Sequence, residues 1–311
     1  MSKDSFYSKK HNINIIVRRN INIEFIKENL IKSPLNYTGG KFKLLPQILP
    51  YFPEKINKFI DLFSGGCDVG VNVKANEIVC NDIINYVIEL YEYLKNNDID
   101  KIIRYIDTRI NEFNLSRINL EGYNKLREIY NKNKFILDFF VLICFSFNNQ
   151  ARFNNKQEYN QAFGRNRSDF NDRIRSNLIK FTETIKNKNI KFISNDYINV
   201  NLDNLTSNDF VYCDPPYLIT SCNYNDGKRG FKGWNEIEEY KLLNLLDNLD
   251  NKNIKFALSN VLKNKGKSND ILKEWSEKYK VNYLNHTYGN CNHQAKNKNK
   301  NTTLEVLITN Y

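Results

Sequence analysis

The sequence predicts an α/β fold built on a largely parallel sheet, and three observations carry that prediction. Short apolar runs recur along the chain: KFIDLF from Lys58, EIVCND from Glu77, KFIS from Lys191, DFVYC from Asp209, KFALS from Lys255, VNYL from Val281 and LEVLIT from Leu304. Segments with apolar residues at helical spacing lie between several of them, and such alternation marks a parallel sheet covered on both faces. Two unusual peptides, one rich in glycine and one Asp-Pro-Pro-Tyr, each follow one of these runs directly. Ligand chemistry in open α/β sheets gathers at the carboxyl ends of strands.

Residues 1–32 are polar and basic, with a short β-like run at Asn14–Val17, and read as an appended arm. SPLNYTGGK (33–41) is a glycine turn, and a helix that includes Leu44 to Leu49 follows it. KFIDLF leads into SGGCDVG (64–70) and then a helix; EIVCND is the next strand, and Tyr86–Leu94 has helical spacing. From about 95 to 186 the character changes. Helical patterns at 97–114 and 121–131 precede an apolar helix at 134–146. A stretch rich in Asn, Gln and Arg (148–171) then suits a surface hairpin, and a helix at 172–186 closes the insert. The strand pattern resumes, with helices expected at 235–249 and 268–279 and a solvated turn at 292–301.

Composition narrows the function classes. With 41% hydrophobic residues in 311, a chain disordered throughout is excluded. Lys plus Arg number 46 against 35 Asp plus Glu, a formal charge of +11 that points toward a polyanion. A general bias toward Asn, Lys and Ile explains part of that excess. The six cysteines form no C-x-x-C pair, which suits free thiols in a reducing cytoplasm. The N-terminus shows no signal peptide, and the longest apolar stretch, Phe135–Phe147, is interrupted by Asp138 and Ser146 and too short to span a membrane. His286, Cys291 and His293 match no zinc spacing, so no metal is expected. Trp234 and Trp275 read as helix packing, and Glu238 and Glu239 as a solvated face.

In Asp61-Leu62-Phe63-Ser64-Gly65-Gly66-Cys67, glycines let the backbone approach a ligand without a Cβ in the way. Asp82 ends the next strand; an acid about 20 residues past such a loop is the usual partner of a ribose hydroxyl pair. Neither G-x-G-x-x-G nor G-K-[ST] is present, which argues against a dinucleotide or a P-loop. Lys41 could neutralise a ligand carboxylate, or be an ordinary exposed lysine.

Asp214-Pro215-Pro216-Tyr217 joins two acceptors, the Asp carboxylate and a Pro carbonyl, in a rigid frame. Two acceptors complement an exocyclic NH₂ group, and Tyr217 offers a flat surface for a planar base. Acceptors on both hydrogens localise the amine lone pair for methyl transfer by positioning and electrostatics, without a strong base. Alone, the tetrapeptide is equally a rigid turn.

The order PLNYTGGK, DLFSGGC, CNDI, helical insert with hairpin, SNDY, YCDPPY closely resembles the Dam-type DNA adenine-N6 methyltransferases from about Ser33 to Tyr311. The resemblance implies a Rossmann-like S-adenosylmethionine-dependent methyltransferase sheet, mostly parallel with one antiparallel strand near the C-terminus, formed by 33–94 and 187–311. It implies a DNA target-recognition domain at 95–186, and methylation of a flipped adenine in double-stranded DNA. Tyr37 and Lys41 would contact the methionine end of S-adenosylmethionine, with Asp61, Phe63 and Gly65 as the cofactor loop. Asp82 would bind the ribose, Asp196 the cofactor's adenine amine, with Tyr197 packing nearby. Asp214 to Tyr217 would hold the target base, with Asp214 bordering the cofactor too; Asp at the head of the motif implies adenine rather than cytosine, where related enzymes carry Ser.

The hairpin resembles the family pattern R-x-N-x-x-G-x-F/Y-N-x-P-x-G, with Gln157 in place of Gly and Ala162 in place of Pro, so the target sequence stays open. Asn149, Arg152, Asn154 and Asn160 would read bases, Arg165 and Arg167 would meet phosphates, and Asn223–Trp234 would form a loop touching DNA. Cys67 stands where the family has Gly, Ala or Ser. The implied partners are double-stranded DNA and a cognate restriction endonuclease, unless the enzyme is solitary, and the implied state is a monomer or weak dimer. Two alternatives are methylation of an RNA adenine or small amine, and a silent nucleic-acid-binding module. The insert and the charge argue against the first, the intact DPPY and glycine loop against the second.

Overall fold

The computed structural model describes residues 28–220, 233–285 and 303–311. The expected arm up to residue 27, the stretch 221–232 of the expected DNA loop, the His286–Cys291–His293 group and the polar run 292–301 lie outside the described residues.

Strands β1 (Lys58–Asp61), β2 (Glu77–Asn81), β3 (Ile190–Ile193), β4 (Phe210–Cys213), β5 (Lys255–Asn264), β6 (Lys267–Ser268), β7 (Lys280–Leu284) and β8 (Thr303–Thr309) form one sheet. Its order is β3-β2-β1-β4-β5-β8-β7, with β6 paired to β5. The pairs β1–β2, β1–β4, β2–β3 and β4–β5 are parallel. β8 enters antiparallel between β5 and β7, in keeping with the antiparallel strand near the C-terminus that the family resemblance implied, and the short β6 also pairs antiparallel with β5. Side chains alternate between two cores, as the period of two requires. Phe59, Phe210, Tyr212 and Leu307 face one apolar cluster; Ile60, Val211, Cys213, Val306 and Ile308 face the other.

Helices cover both faces. The second cluster is closed by α8 (Glu236–Asn251) and α9 (Asp270–Trp275), the first by α1 (Leu45–Ile48), α2 (Asp68–Asn72), α3 (Asn85–Asn96), α4 (Ile99–Glu112), α5 (Leu120–Asn133), α6 (Ile136–Phe145) and α7 (Asp172–Asn187). The asparagine-rich composition is put to structural use here. Asn119, Asn171, Asn235 and Asn269 cap α5, α7, α8 and α9 by accepting from backbone amides, each cap contributing about 1 kcal/mol.

Two boundaries differ from the sequence expectation. β5 continues past Ser259 to Asn264 and turns back through β6. The helix expected at 268–279 divides into α9 and a 3₁₀ turn at Ser276–Lys278, where the Ser276 hydroxyl donates to the Lys273 carbonyl. The helix after the glycine loop has only 5 residues, because Val73 is already extended.

Helix α6 is buried along its whole length and carries the insert. Its one charge, Asp138, accepts from Arg109 Nε and Nη2 at 2.8 Å each and from the Tyr105 hydroxyl at 2.8 Å, which staples α4 to α6. The hairpin after α6 has no continuous ladder, only the antiparallel bridges Ser146↔Phe163 and Phe153↔Tyr159.

Candidate active site and recognition hairpin

Because β1 and β4 are parallel neighbours, Asp61 and Asp214 emerge at the same end of the sheet. Lys41, from the glycine turn 33–41, is buried rather than exposed, and its ammonium lies 2.8 Å from Asp214 Oδ2. The Tyr217 hydroxyl donates to Asp214 Oδ1 at 2.9 Å, and Lys41 Nζ sits 5.2 Å from the centre of the Tyr217 ring. Pro215 is buried between them in sequence, so the tetrapeptide is pinned at both ends.

Glu305 completes this group, and the sequence reading missed it. It projects from β8, its Oε1 lies 4.0 Å from Lys41 Nζ, and the Tyr217 hydroxyl reaches it at 3.5 Å. The available signal was an acid inside an otherwise apolar strand, TLEVLIT. Two carboxylates therefore lie within 4.0 Å of one ammonium. Burial raises the Asp214 carboxyl above its ordinary range, while the Lys41 charge and the Tyr217 hydroxyl oppose the shift. Burial alone would lower the Lys41 ammonium, but the charges of Asp214 and Glu305 outweigh it and its pKa rises. Asp61 is raised well above the usual carboxylate range, by burial first and by the negative charge of Asp214 next. Asp61 Oδ1 and Ser64 Oγ are buried without hydrogen-bond partners. Orphan buried acceptors of this kind call for a ligand donor.

The glycine loop is built against Tyr37. Gly65 has φ +44°, and a Cβ there would lie 2.6 Å from Tyr37 Cε1. Its amide donates to Asp82 Oδ2 at 2.7 Å, and Ile84 N donates to Asp82 Oδ1 at 2.9 Å. Asp82 thus spans the loop and the end of β2, and burial pushes its carboxyl up to about 6. Asn81 ties the loops together, donating to the Leu62 carbonyl at 3.0 Å and the Asn195 carbonyl at 3.1 Å. Cys67 holds the left-handed conformation (φ 59°), and its Sγ lies 3.6 Å from that of Cys80. Cys67, Cys80, Cys144 and Cys213 are free and buried.

On the far side of the loop, Phe63 packs on Tyr197 at 5.1 Å between ring centres and edge-on to Trp234 at 5.8 Å. Asp196 precedes Tyr197 and accepts from the Ile198 amide at 3.2 Å. The expectation for Glu238 and Glu239 as a solvated face is corrected here. Glu239 is 1% exposed and accepts from the Trp234 indole and from Asn269 Nδ2, while Glu238 accepts from the Tyr197 hydroxyl. Sequence alone hid this because the acids cap a helix start, where exposed carboxylates are common.

The hairpin reaches the same region from α6. Asn36 donates to the Asn148 carbonyl at 2.7 Å and Gln150 to Thr38 Oγ1 at 3.3 Å, joining the hairpin to the glycine turn 33–41. A cavity of about 230 Å³ lies at this seam, lined by Tyr37, Thr38, Tyr86, Phe139, Asn149 and Arg152 among others. Asn149 turns inward, donating to the Cys144 carbonyl at 2.7 Å. Asn154 shapes the turn, accepting from Lys156 N at 2.9 Å and Glu158 N at 3.0 Å. Asn160 keeps a buried Oδ1 without a partner. Arg152, Arg165 and Arg167 are exposed, the last stacked on the half-exposed Phe147 ring at 4.8 Å. Gln157, in place of the family's glycine, has φ 64°.

With this geometry in hand, the comparisons with known proteins are specific. The family described as D12 class N6 adenine-specific DNA methyltransferase matches residues 37–290. The chain belongs to this family. It is 50% identical over 298 residues to Type II methyltransferase M.FokI of Planomicrobium okeanokoites, covering 95% of this chain and 46% of that protein. It is 47% identical over 283 residues to Modification methylase StsI of Streptococcus sanguinis, covering 90% of this chain and 43% of the relative. Modification methylase LlaI of Lactococcus lactis subsp. lactis is 34% identical over 293 residues, covering 93% and 45% respectively. The chain thus spans less than half the length of these three relatives. No helix among the described residues is long and apolar enough to cross a membrane.

Proposed function

We propose that the chain transfers a methyl group from S-adenosylmethionine to the N6 amine of an adenine flipped out of double-stranded DNA. The observation that carries this is the Asp214 carboxylate, held at the ligand end of β4 by Lys41 at 2.8 Å and Tyr217 at 2.9 Å. Its position and that of the adjoining Pro215 carbonyl suit the two hydrogens of an exocyclic amine, while Tyr217 supplies a stacking face.

The residues present fit the cofactor. Asp61 Oδ1, orphaned and buried, suits the methionine ammonium, and the excess of acids suits a sulfonium cation. Asp82, fixed by the Gly65 and Ile84 amides, suits a ribose diol. Tyr37 walls the loop, Phe63 and Tyr197 offer rings to the cofactor's adenine, and Asp196 an acceptor to its amine. Bound, S-adenosylmethionine supplies an electrophilic methyl group. The chain's own part is to hold the amine, orient its lone pair, and keep Lys41 charged beside Asp214, where the ammonium opposes the upward shift that burial imposes on the carboxyl.

Residues 33–94 and 187–311 serve in this reading as the catalytic part, 95–186 as the recognition part, and 1–32 as a basic arm. Arg152 and Asn160 read bases and Arg165 and Arg167 meet phosphates, while Asn149 and Asn154 act through the shape of the hairpin. The names of StsI and LlaI as modification methylases support a partner endonuclease acting on the same DNA site. The site of action is the cytoplasm, and the working unit a monomer or weak dimer. Incubation with methyl-labelled cofactor and unmethylated duplexes of varied sequence, followed by nucleoside digestion, tests the proposal. N6-methyladenine is the expected product; no label in DNA, or label on cytosine, overturns it.

A further inference from the structure

The first turn of α8 holds two aromatic side chains that meet Phe63. Glu238 Oε2 takes the Tyr197 hydroxyl at 3.3 Å, and Glu239 Oε2 takes the Trp234 indole N–H. Glu239 Oε1 in turn accepts from Asn269 Nδ2 at 2.8 Å and Asn260 Nδ2 at 3.4 Å. A carboxylate this deeply buried is costly unless its oxygens are filled by donors. Here they are filled by N–H groups from three elements: Trp234, which precedes the N-cap of α8, the N-cap of α9 and the middle of β5. Among the described residues no lysine or arginine pairs with it.

This network fixes the indole from behind. Tyr197 and Trp234 lie 5.9 Å apart between ring centres, and both rings meet Phe63 immediately after β1. Trp234 remains partly exposed, so it is not simply core. Three rings gathered at the ligand end of the sheet, beside Asp196, make an aromatic wall for a flat heterocycle.

We propose that Trp234 is a wall of the pocket for the cofactor's adenine, and that Glu239 is the positioning residue that sets the indole. The inference rests on the methyltransferase reading above. It adds a residue from a segment well past the tetrapeptide, and it gives a function to a buried acid that the transfer step does not use.

Calorimetric titration with S-adenosylhomocysteine tests it, comparing the wild-type chain with Trp234→Ala, Trp234→Phe and Glu239→Gln. Losing a stacked ring should raise the Kd about tenfold in Trp234→Ala. The loss should fall on the KM for the cofactor rather than on kcat, and Trp234→Phe should recover most of it. Glu239→Gln should weaken binding by a smaller factor, because its amide turns a donor toward the Asn269 donor. The chain has 2 tryptophans, so Trp275→Phe leaves Trp234 as the sole indole reporter; its emission should shift and saturate during the titration. A folded Trp234→Ala with wild-type Kd overturns the inference, as does an emission that stays flat while calorimetry registers binding. If Trp234→Ala does not fold, the emission titration decides. A wild-type chain that binds no S-adenosylhomocysteine overturns the methyltransferase reading itself, and the inference falls with it.

Discussion

At the ligand end of the sheet, Lys41, Asp61 and Glu305 are buried and Asp214 half-buried, their positions set by the strands and, for Lys41, Asp214 and Glu305, by one another. In the hairpin between Ser146 and Gly164 the charges are exposed, and the shape is set by uncharged groups. Asn154 closes the turn, Asn131 bonds both the amide and the carbonyl of Tyr159, and Phe153 and Tyr159 pack on Phe139. The difference teaches how one scaffold can keep a reaction and change its target. In the cleft Lys41, Asp214 and Glu305 are one another's partners, so none of the three changes alone. In the hairpin the exposed arginines are separate from the groups that hold the backbone, so their identity can change without loss of the fold.

Asp214→Ala probes the cleft side and has the largest expected effect: methyl transfer to DNA is abolished while S-adenosylhomocysteine binding largely survives. Measuring both on one preparation separates chemistry from folding, and substantial residual transfer would remove Asp214 from its assigned role. Asp138→Ala strikes the support shared by both regions. It leaves Arg109 beside a buried helix with only the exposed Glu112 as partner, and chemical denaturation should register a loss of about 3–5 kcal/mol. A loss under about 1 kcal/mol would mean that the α4–α6 staple is replaceable.

Arg152→Ala probes the hairpin side. Discrimination at one base pair should weaken by about 1–3 kcal/mol while the fold is unchanged. Equal weakening on every sequence would reassign Arg152 to a phosphate. Acidification sharpens the contrast further. Asp82 titrates at about 6, so cofactor binding should hold above that pH and weaken below it as the acceptor takes a proton. Folding stability runs the other way. The folded-state value is raised, so the contribution of Asp82 is fully present below the ordinary carboxylate range and is lost as pH rises through about 6; Asp68, also at about 6, acts in the same sense. Cofactor affinity that is flat across pH 5–7 would remove Asp82 from the ribose. Gln157→Gly should have the smallest effect, a gain of a few tenths to about 1 kcal/mol from relief of a left-handed residue. A loss instead would show that the Gln157 side chain is part of the turn.

The sheet was legible because its strands are short apolar runs in a chain otherwise rich in Asn and Lys, and because their order follows from alternation with helices. The antiparallel entry of β8 came from family likeness, not from any local property of LEVLIT. Asp61, Asp82 and Asp214 were legible because each ends an apolar run. Glu305 was not, because an acid facing a site looks the same in sequence as one at an edge. Glu239 was hidden for the opposite reason: its surroundings, Asn260 and Asn269, come from other elements and bury it only once the chain is folded. The inward turn of Asn149 likewise depends on its left-handed backbone, which sequence does not announce.

The placement of β8 has a consequence for the order of synthesis. It is translated after every other described strand, yet it sits between β5 and β7 and carries Glu305 to Lys41. Until it leaves the ribosome, β7 has no strand to pair with and the ammonium beside the DPPY turn lacks its second counter-charge. A nascent chain stopped before Thr303 would hold the glycine loop and the tetrapeptide but not the assembled centre. The architecture therefore defers assembly of the Lys41, Asp214 and Glu305 group until β8 has been made.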